Sequence, residues 1–296
     1  MMKKTCIVIL SGFIFLTSLF AGGKSEGASG GASSGSTGGS SSSSSSSGGT
    51  AAPYTVTVAG STSVNPLMEL LTADYAKVRS NVKFNISATG SGDGIKAVPA
   101  ETAEIGMSSR ELSPTEIGTG IETHLIAIDG IAVIVNNNNP ISDLTLDQIQ
   151  KIYTGAITDW SALGGGKSGK IAVVSREPGS GTRGAFEEIV KFQDKLVKGA
   201  IEFDGTGAVK AEISRNVDAI GYISLGSLDA SIKALSVGGV SAETANVVKG
   251  TYKIARPFLL LTKQGKALNP ETKSFLDWIL SPAGQNIVKT SWISVK

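Results

Sequence analysis

Short apolar runs alternate along the chain with loops that are rich in glycine and hydroxyl residues. In the first part of the chain this pattern occurs three times, and helical spacing of apolar residues follows the first two loops. The strands are predicted over 55–59, 82–88 and 104–107, the loops over 60–63, 89–94 and 108–111, and the helices over 66–78 and from 95 onwards. The repeat predicts an α/β fold with a mainly parallel sheet, whose loops share the edge at the carboxyl ends of the strands.

A second region continues the pattern. Strands are predicted over 171–174, 219–223 and 256–262, and helices over 144–153 and 270–280. The apolar stretch over 125–135 is long for a single strand, and Asp129-Gly130 within it predicts a break or hinge. Two α/β regions, each with Gly/Ser/Thr loops, predict two lobes with a ligand cleft between them.

The most distinctive stretch is the turn that follows the strand over 171–174. It reads Arg176-Glu177-Pro178-Gly179-Ser180-Gly181-Thr182-Arg183 and leads into a helical pattern. Such a turn directs free backbone N–H groups, two hydroxyls and the positive end of a helix dipole into one small space. Arginine at both ends adds forked donors that suit a tetrahedral oxyanion. The turn therefore predicts an anion-binding loop.

Composition narrows the possible chemistry. The chain of 296 residues has a net charge of only +2, which gives no general attraction for nucleic acid. It contains one Cys and one His, so an internal disulfide is impossible and a zinc site built from Cys and His is not expected. A Ser–His or Cys–His nucleophile pair has little to draw on, and we expect neither an enzyme nor a cofactor.

The N-terminal part of the chain has the pattern of an export signal. Residues 1–23 place two lysines before an apolar core and end in small residues, which predicts a cleaved signal peptide. Residues 24–53 form a Gly/Ser-rich linker, with eight consecutive serines at 40–47, that cannot bury enough apolar surface to fold. A lipid anchor is not supported, because Cys6 precedes the apolar core and Ala21 stands where a lipidated cysteine would be expected.

A set of motifs, in this order, resembles the phosphate-binding component of an ABC-type phosphate transporter, in its short form. The resemblance runs from about residue 54 to 296. Its motifs are Gly60-Ser61-Thr62-Ser63-Val64, Gly90-Ser91-Gly92, Ile105-Gly106-Met107-Ser108-Ser109-Arg110, Asp129-Gly130-Ile131-Ala132-Val133, the turn from Arg176 to Arg183, and Ala219-Ile220-Gly221-Tyr222.

The resemblance implies a type II periplasmic-binding-protein fold, in which two lobes joined by a two-stranded hinge close over one phosphate ion. It places lobe 1 at 54–134 plus about 236–296 and lobe 2 at about 135–235. The resemblance implies a set of phosphate-binding residues, and we add some neighbouring positions as candidates. Together these are Ser61, Thr62, Ser63, Ser91, Ser109, Arg110, Asp129, Arg176, Gly179, Ser180, Gly181 and Thr182. For Arg110, the alternative to a phosphate contact is a structural salt bridge with Glu111 or Asp129. For Arg183, the alternative to a phosphate contact is a pairing with nearby carboxylates.

The chain departs from the resemblance at Ser109, where better-known members carry an aspartate. A buried carboxylate accepts the proton that phosphate retains at neutral pH, and it repels sulfate, which has none. With serine here, the acceptor must come from elsewhere or selectivity is weaker. Asp129 is the first candidate, and Asp93 and Glu177 are the alternatives.

The resemblance also implies partners. These are inorganic phosphate and the ABC permease subunits of the inner membrane, with the receptor a monomer in the periplasm or on the outer face of the cytoplasmic membrane. A receptor for sulfate or molybdate is the alternative within the same class. An exported phosphatase that uses Ser180 or Thr182 as nucleophile and a surface adhesion protein are the alternatives from other classes.

Overall fold

The structure is a computed structural model, and it describes residues 52–164 and 166–296. The predicted signal peptide and nearly all of the predicted linker lie outside these residues. Within them, the strands are β1 (Tyr54–Gly60), β2 (Val82–Ala88), β3 (Ile105–Ser108), β4 (Ile121–Val135), β5 (Asp143–Leu144), β6 (Ala172–Arg176), β7 (Ile201–Phe203), β8 (Ala219–Ser224), β9 (Lys233–Ala234), β10 (Ser236–Val237) and β11 (Ala255–Lys263).

The α-helices of the described part alternate with these strands. They are α1 (Asn65–Val78), α2 (Ser91–Ala97), α3 (Leu146–Tyr153), α4 (Gly181–Val190), α5 (Gly205–Arg215), α6 (Thr244–Val248), α7 (Pro270–Ile279) and α8 (Pro282–Val288). Helix α3 begins with a capping box, in which Thr145 and Gln148 satisfy each other's backbone N–H groups. Helix α7 lies within the helix predicted over 270–280 and buries Phe275, Leu276 and Ile279.

One sheet runs through the fold in the order β2-β1-β3-β11-β4-β8-β6-β7. Strands β1, β2 and β3 are parallel, and so are β6, β7 and β8, whereas β11 and β4 are antiparallel to their neighbours. The α/β fold with mainly parallel halves is therefore confirmed. Strands β4 and β11 lie where the halves meet, which is the place for a two-stranded hinge.

Of the predicted break or hinge at Asp129-Gly130, the break is wrong, because β4 is continuous over its 15 residues, and the hinge stays a prediction. What changes at Gly130 is the partner: β11 pairs with β4 as far as Gly130, and β8 pairs with it from Ile131 onwards. The glycine is needed for packing, since a Cβ atom at Gly130 would lie 2.1 Å from the Leu225 side chain. The irregularity lies earlier in β4, where Phe258 pairs with Ala127 and Leu259 with Leu125, so that Ile126 is an extra residue in the ladder.

Helix α2 begins at Ser91, four residues before the predicted start. The glycines at 92 and 94 obscure the helix in the sequence, but the fold requires at least one of them. A Cβ atom at Gly94 would lie 2.6 Å from the carbonyl oxygen of Ala59 in β1. The early start places the Ser91 hydroxyl at the first turn of a helix.

Two large clusters of buried apolar side chains flank the sheet. One contains Val56, Leu67 and Phe275 and packs around β1–β3, α1 and α7. The other contains Ile149, Trp160 and Phe186 and packs around β6, β8, α3 and α4. Residues 236–254 belong with the second cluster, because β10 pairs with β5 and both Val247 and Tyr252 pack there.

Candidate functional site

The loops that follow β1, β2 and β3 form one side of the candidate site, called the first face here. In the β1 loop, Ser61 Oγ accepts hydrogen bonds from the N–H groups of Ser63 and Val64 and donates one to Ser109 Oγ at 3.0 Å. In the β2 loop, Ser91 Oγ accepts the Ser109 N–H at 3.1 Å. Ser61, Ser63, Ser91 and Ser109 are all at most 2% exposed, so the structure gathers the predicted hydroxyls of three loops into one buried group.

The turn after β6 forms the second face, together with the start of α5. Strand β6 ends at Arg176, and α4 begins at Gly181 with Ser180 as its N-cap residue. Ser180 Oγ accepts the Arg183 N–H at 3.3 Å, which fixes the first turn of the helix. The strand, turn and helix of the predicted anion loop are thus present.

The two faces contact each other directly. Ser63 Oγ lies 2.7 Å from Thr182 Oγ1, and Arg176 Nη2 donates to Thr62 Oγ1 at 3.0 Å. The backbone is equally close, because the Gly92 N–H donates to the Gly179 carbonyl at 3.0 Å. The predicted residues of the two regions therefore form a single cluster.

Gly181 allows the closest approach between the faces. A Cβ atom there would lie 2.3 Å from Ser91 Oγ and 2.7 Å from Ser109 Oγ, both shorter than any ordinary contact. Only glycine fits at this position while the faces are in contact. The need for glycine comes from the opposite face and not from the turn itself.

Arg176 is the cation of the cluster and is almost completely buried. Glu177 neutralises it through two hydrogen bonds, from Nε at 2.8 Å and from Nη2 at 2.7 Å. Burial of a charge at this depth requires such a partner. Of the three carboxylates considered as acceptors of the phosphate proton, Glu177 is the one that is hydrogen-bonded to the cluster. Asp93 is exposed.

Thr206 joins the same cluster, and the sequence analysis did not identify it. Its hydroxyl lies 3.3 Å from Thr62 Oγ1 and 3.3 Å from Ser63 Oγ, and Arg176 Nη1 approaches it at 3.4 Å. The signal was present in the sequence, because Gly205 and Thr206 follow a short strand and open a helix. Strand β7 is only three residues long, which made the pattern easy to overlook.

Asp129 is buried as expected, but its carboxylate is already bonded to other groups. Oδ2 accepts two hydrogen bonds from Arg256, at 3.3 and 3.1 Å, and Oδ1 accepts one from Ser224 at 2.8 Å. Burial raises the pKa of Asp129 to about 6, against the opposing attraction of Arg256. Both carboxylate oxygens of Asp129 are thus bonded to protein groups, and its ion-pair partner is Arg256, a residue that the sequence analysis did not single out.

The remaining arginines are held by carboxylates. Arg110 forms a salt bridge with Glu116 at 2.7 Å, so the structural alternative is the one observed, with Glu116 in the place predicted for Glu111 or Asp129. Hydrogen bonding from Arg110 holds the pKa of Glu116 at about 2. Arg183 bonds to Glu187 and Glu202, which confirms its predicted pairing with nearby carboxylates.

The cluster is rich in donors without carrying net charge. Helices α1, α2, α4 and α5 all begin at it, so their free N–H groups and positive dipole ends converge there. Hydroxyl groups can reorient to donate to an anion, and Arg176 supplies a forked donor. This arrangement suits a small oxyanion with several acceptor oxygens.

Within the described residues, the cluster contains no proton-transfer pair. Ser180 Oγ bonds to the Arg183 N–H and Thr182 Oγ1 to Ser63 Oγ, while His124 bonds to Thr262 on another part of the sheet. No group of three or more potential metal ligands occurs in the part of the chain that the structure describes. None of the helices in that part is both long enough and apolar enough to cross a membrane.

Comparison with known proteins gives a consistent result. Residues 32–283 match the PBP superfamily domain. The phosphate-binding protein PstS of Bacillus subtilis is 33% identical over 242 residues, which cover 80% of this chain and 78% of that protein. The crystal structure of a phosphate ABC transporter substrate-binding protein from Clostridium perfringens, with bound phosphate, is 46% identical, with a TM-score of 0.80 over 82% of this chain and all of that one. An ABC-type phosphate transport receptor from Vibrio cholerae is 33% identical, with a TM-score of 0.68 over 81% of this chain and all of that one.

Proposed function

The chain belongs to the PBP superfamily and, within it, to the family of the phosphate-binding protein PstS, and on this basis we propose that its cluster binds inorganic phosphate for uptake by an ABC transporter. The observation that carries the proposal is the burial of Arg176 among hydroxyls from both faces. The ligand contacts we propose are made by Thr62, Ser63, Ser91, Arg176, Ser180, Gly181 and Thr182, with Ser61, Ser109 and Gly179 in support.

Release of phosphate requires the two faces to separate. Strands β4 and β11 carry the chain between the halves of the sheet, so bending there would open the site. Phosphate that contacts both faces favours the closed arrangement, because it binds that arrangement more tightly. We place the lobe boundary near Ala255 and not near residue 236, since residues 236–254 pack with the second cluster.

Membership of this family also suggests where the protein works and to which partner it delivers phosphate. Residues 1–23 act as an export signal and residues 24–53 as a spacer, so that the folded part works outside the cytoplasmic membrane. There it delivers phosphate, as a monomer, to permease subunits. The hydrolase alternative lacks support, because the described residues offer neither Ser180 nor Thr182 a base.

A sulfate or molybdate receptor is the alternative that experiment must separate. Phosphate retains a proton and sulfate does not, and Glu177 is the carboxylate bonded to the cluster. We expect calorimetric titration to show micromolar or tighter binding of phosphate and weaker binding of sulfate and molybdate. Sulfate or molybdate binding as tight as phosphate would contradict the proposed ligand, and no binding of any of these anions would favour an adhesion role.

Ser109→Asp provides a matched variant for the same titration. Its carboxylate would enter the buried hydroxyl cluster, accept the phosphate proton and repel sulfate. The preference for phosphate over sulfate should rise roughly tenfold or more, which corresponds to one charge-assisted hydrogen bond. An unchanged preference in a folded variant would show that residue 109 does not face the anion.

A further inference from the structure

Arg256 and Asp129 form a buried ion pair at the centre of the sheet. They are paired in register across β11 and β4, one residue before β4 exchanges β11 for β8. Their side chains are 1% and 0% exposed. Neither phosphate binding by the hydroxyl cluster nor the sheet itself requires a charged pair here, and a buried pair is often no more stable than an apolar replacement.

The contacts of Arg256 lead directly to the binding cluster. Its Nη1 donates to the carbonyl oxygen of Ser109 at 3.1 Å. Ser109 in turn bonds through its N–H to Ser91 Oγ and through its own hydroxyl to Ser61 Oγ. Arg256 therefore fixes the backbone of the residue that links the three loops of the first face.

Arg256 is also electrostatically coupled to the cation of the second face. Burial lowers the pKa of Arg256, Asp129 opposes that effect, and the positive charge of Arg176 lowers it further. The two guanidinium groups thus repel each other, and each has one carboxylate partner, Glu177 for Arg176 and Asp129 for Arg256. An anion bound at Arg176 would reduce that repulsion.

We propose that Arg256 is a positioning residue of the phosphate site. It holds Ser109 in place through the carbonyl group and adds positive potential behind the hydroxyls, while Asp129 limits that potential. Asp129 thus opposes anion binding and does not accept the phosphate proton. The inference rests on the proposed function and concerns residues that do not touch the anion.

The test is calorimetric titration of phosphate into the wild-type chain and into Arg256→Gln and Asp129→Asn, at neutral pH. Glutamine retains a donor for the Ser109 carbonyl but loses the charge, so affinity should fall about tenfold. Asparagine removes the counter-charge, so affinity should rise several-fold. Both variants break the pair and should unfold at lower temperature, which thermal unfolding without phosphate measures.

The two variants should change phosphate affinity in opposite directions, whereas a purely structural role predicts weaker binding in both. If both variants bind phosphate more weakly, in step with their lost stability, the inference is wrong while the proposed function stands. If the wild-type chain does not bind phosphate, the proposed function fails and this inference fails with it.

Should Arg256→Gln not fold, the double variant Arg256→Gln/Asp129→Asn leaves no unpaired charge. It should bind about tenfold more weakly than Asp129→Asn alone, and equal affinities would overturn the inference.

Discussion

Replacement of Arg176 by methionine should reduce phosphate affinity by about thirtyfold to a few thousandfold, because truncating one partner of a buried charge pair costs about 2–5 kcal/mol. The variant loses the forked donor and leaves the Glu177 carboxylate unpaired beside the incoming anion. Arg176→Lys retains the charge, but its three N–H donors cannot replace the four hydrogen bonds that Arg176 makes to Glu177, Thr62 and Thr206, so we expect an intermediate affinity. Calorimetric titration of phosphate measures both.

Arg215→Met is the matched control. Arg215 pairs with Glu212 within α5, and its side chain is 72% exposed. Arg215 lies at the end of α5 that is far from the cluster, and Glu212 keeps its hydrogen bond from Asn216 Nδ2, so the control should bind phosphate as the wild type does. If Arg176→Met keeps its fold and binds phosphate with wild-type affinity, Arg176 does not contact the anion.

Replacement of Gly181 by alanine should weaken phosphate binding without affecting the fold of the separated lobes. The added methyl group would lie 2.3 Å from Ser91 Oγ and 2.9 Å from Ser91 Cβ, so rotation of the hydroxyl alone cannot relieve the clash. Overpacking of this kind costs roughly 1–3 kcal/mol, or about five- to 150-fold in affinity if the cost falls on the closed arrangement alone. Calorimetry gives the affinity, and thermal unfolding without phosphate reports the fold.

Gly207→Ala is the control for this variant. It adds the same methyl group in the first turn of α5, beside Thr206, where no heavy atom lies within 4 Å. Its phosphate affinity should equal that of the wild type, since alanine also favours the helix. Equal affinities for Gly181→Ala and Gly207→Ala would show that the faces do not close at Gly181 when phosphate binds.

Much of the site was predictable because its residues occupy loops with a strong local pattern. A hydroxyl or glycine placed directly after an apolar strand can be recognised in the sequence, and the parallel sheet brings such loops to one edge. Ser61, Ser91 and Ser109 follow the parallel strands β1, β2 and β3 and are found together for this reason. The start of α2 was misplaced because glycines that the sheet requires for close packing look like loop residues in the sequence.

What could not be predicted depends on contacts between distant segments. The partner of Asp129 lies 127 residues further along the chain, and register alone brings Arg256 opposite to it. Likewise, the contact of Gly181 with Ser91 exists only because the two faces meet. Local pattern identifies the donors of a binding site, whereas the pairing of its charges requires the topology of the sheet.

A crystal structure of the chain grown with phosphate tests the central claim most directly. We predict one tetrahedral density between the two faces, within hydrogen-bond distance of Arg176, Ser91 and Thr182. The hydroxyls that now contact each other, such as Ser63 and Thr182 at 2.7 Å, should turn towards the anion. Phosphate bound to only one face, or bound elsewhere with this cluster unchanged, would contradict the claim.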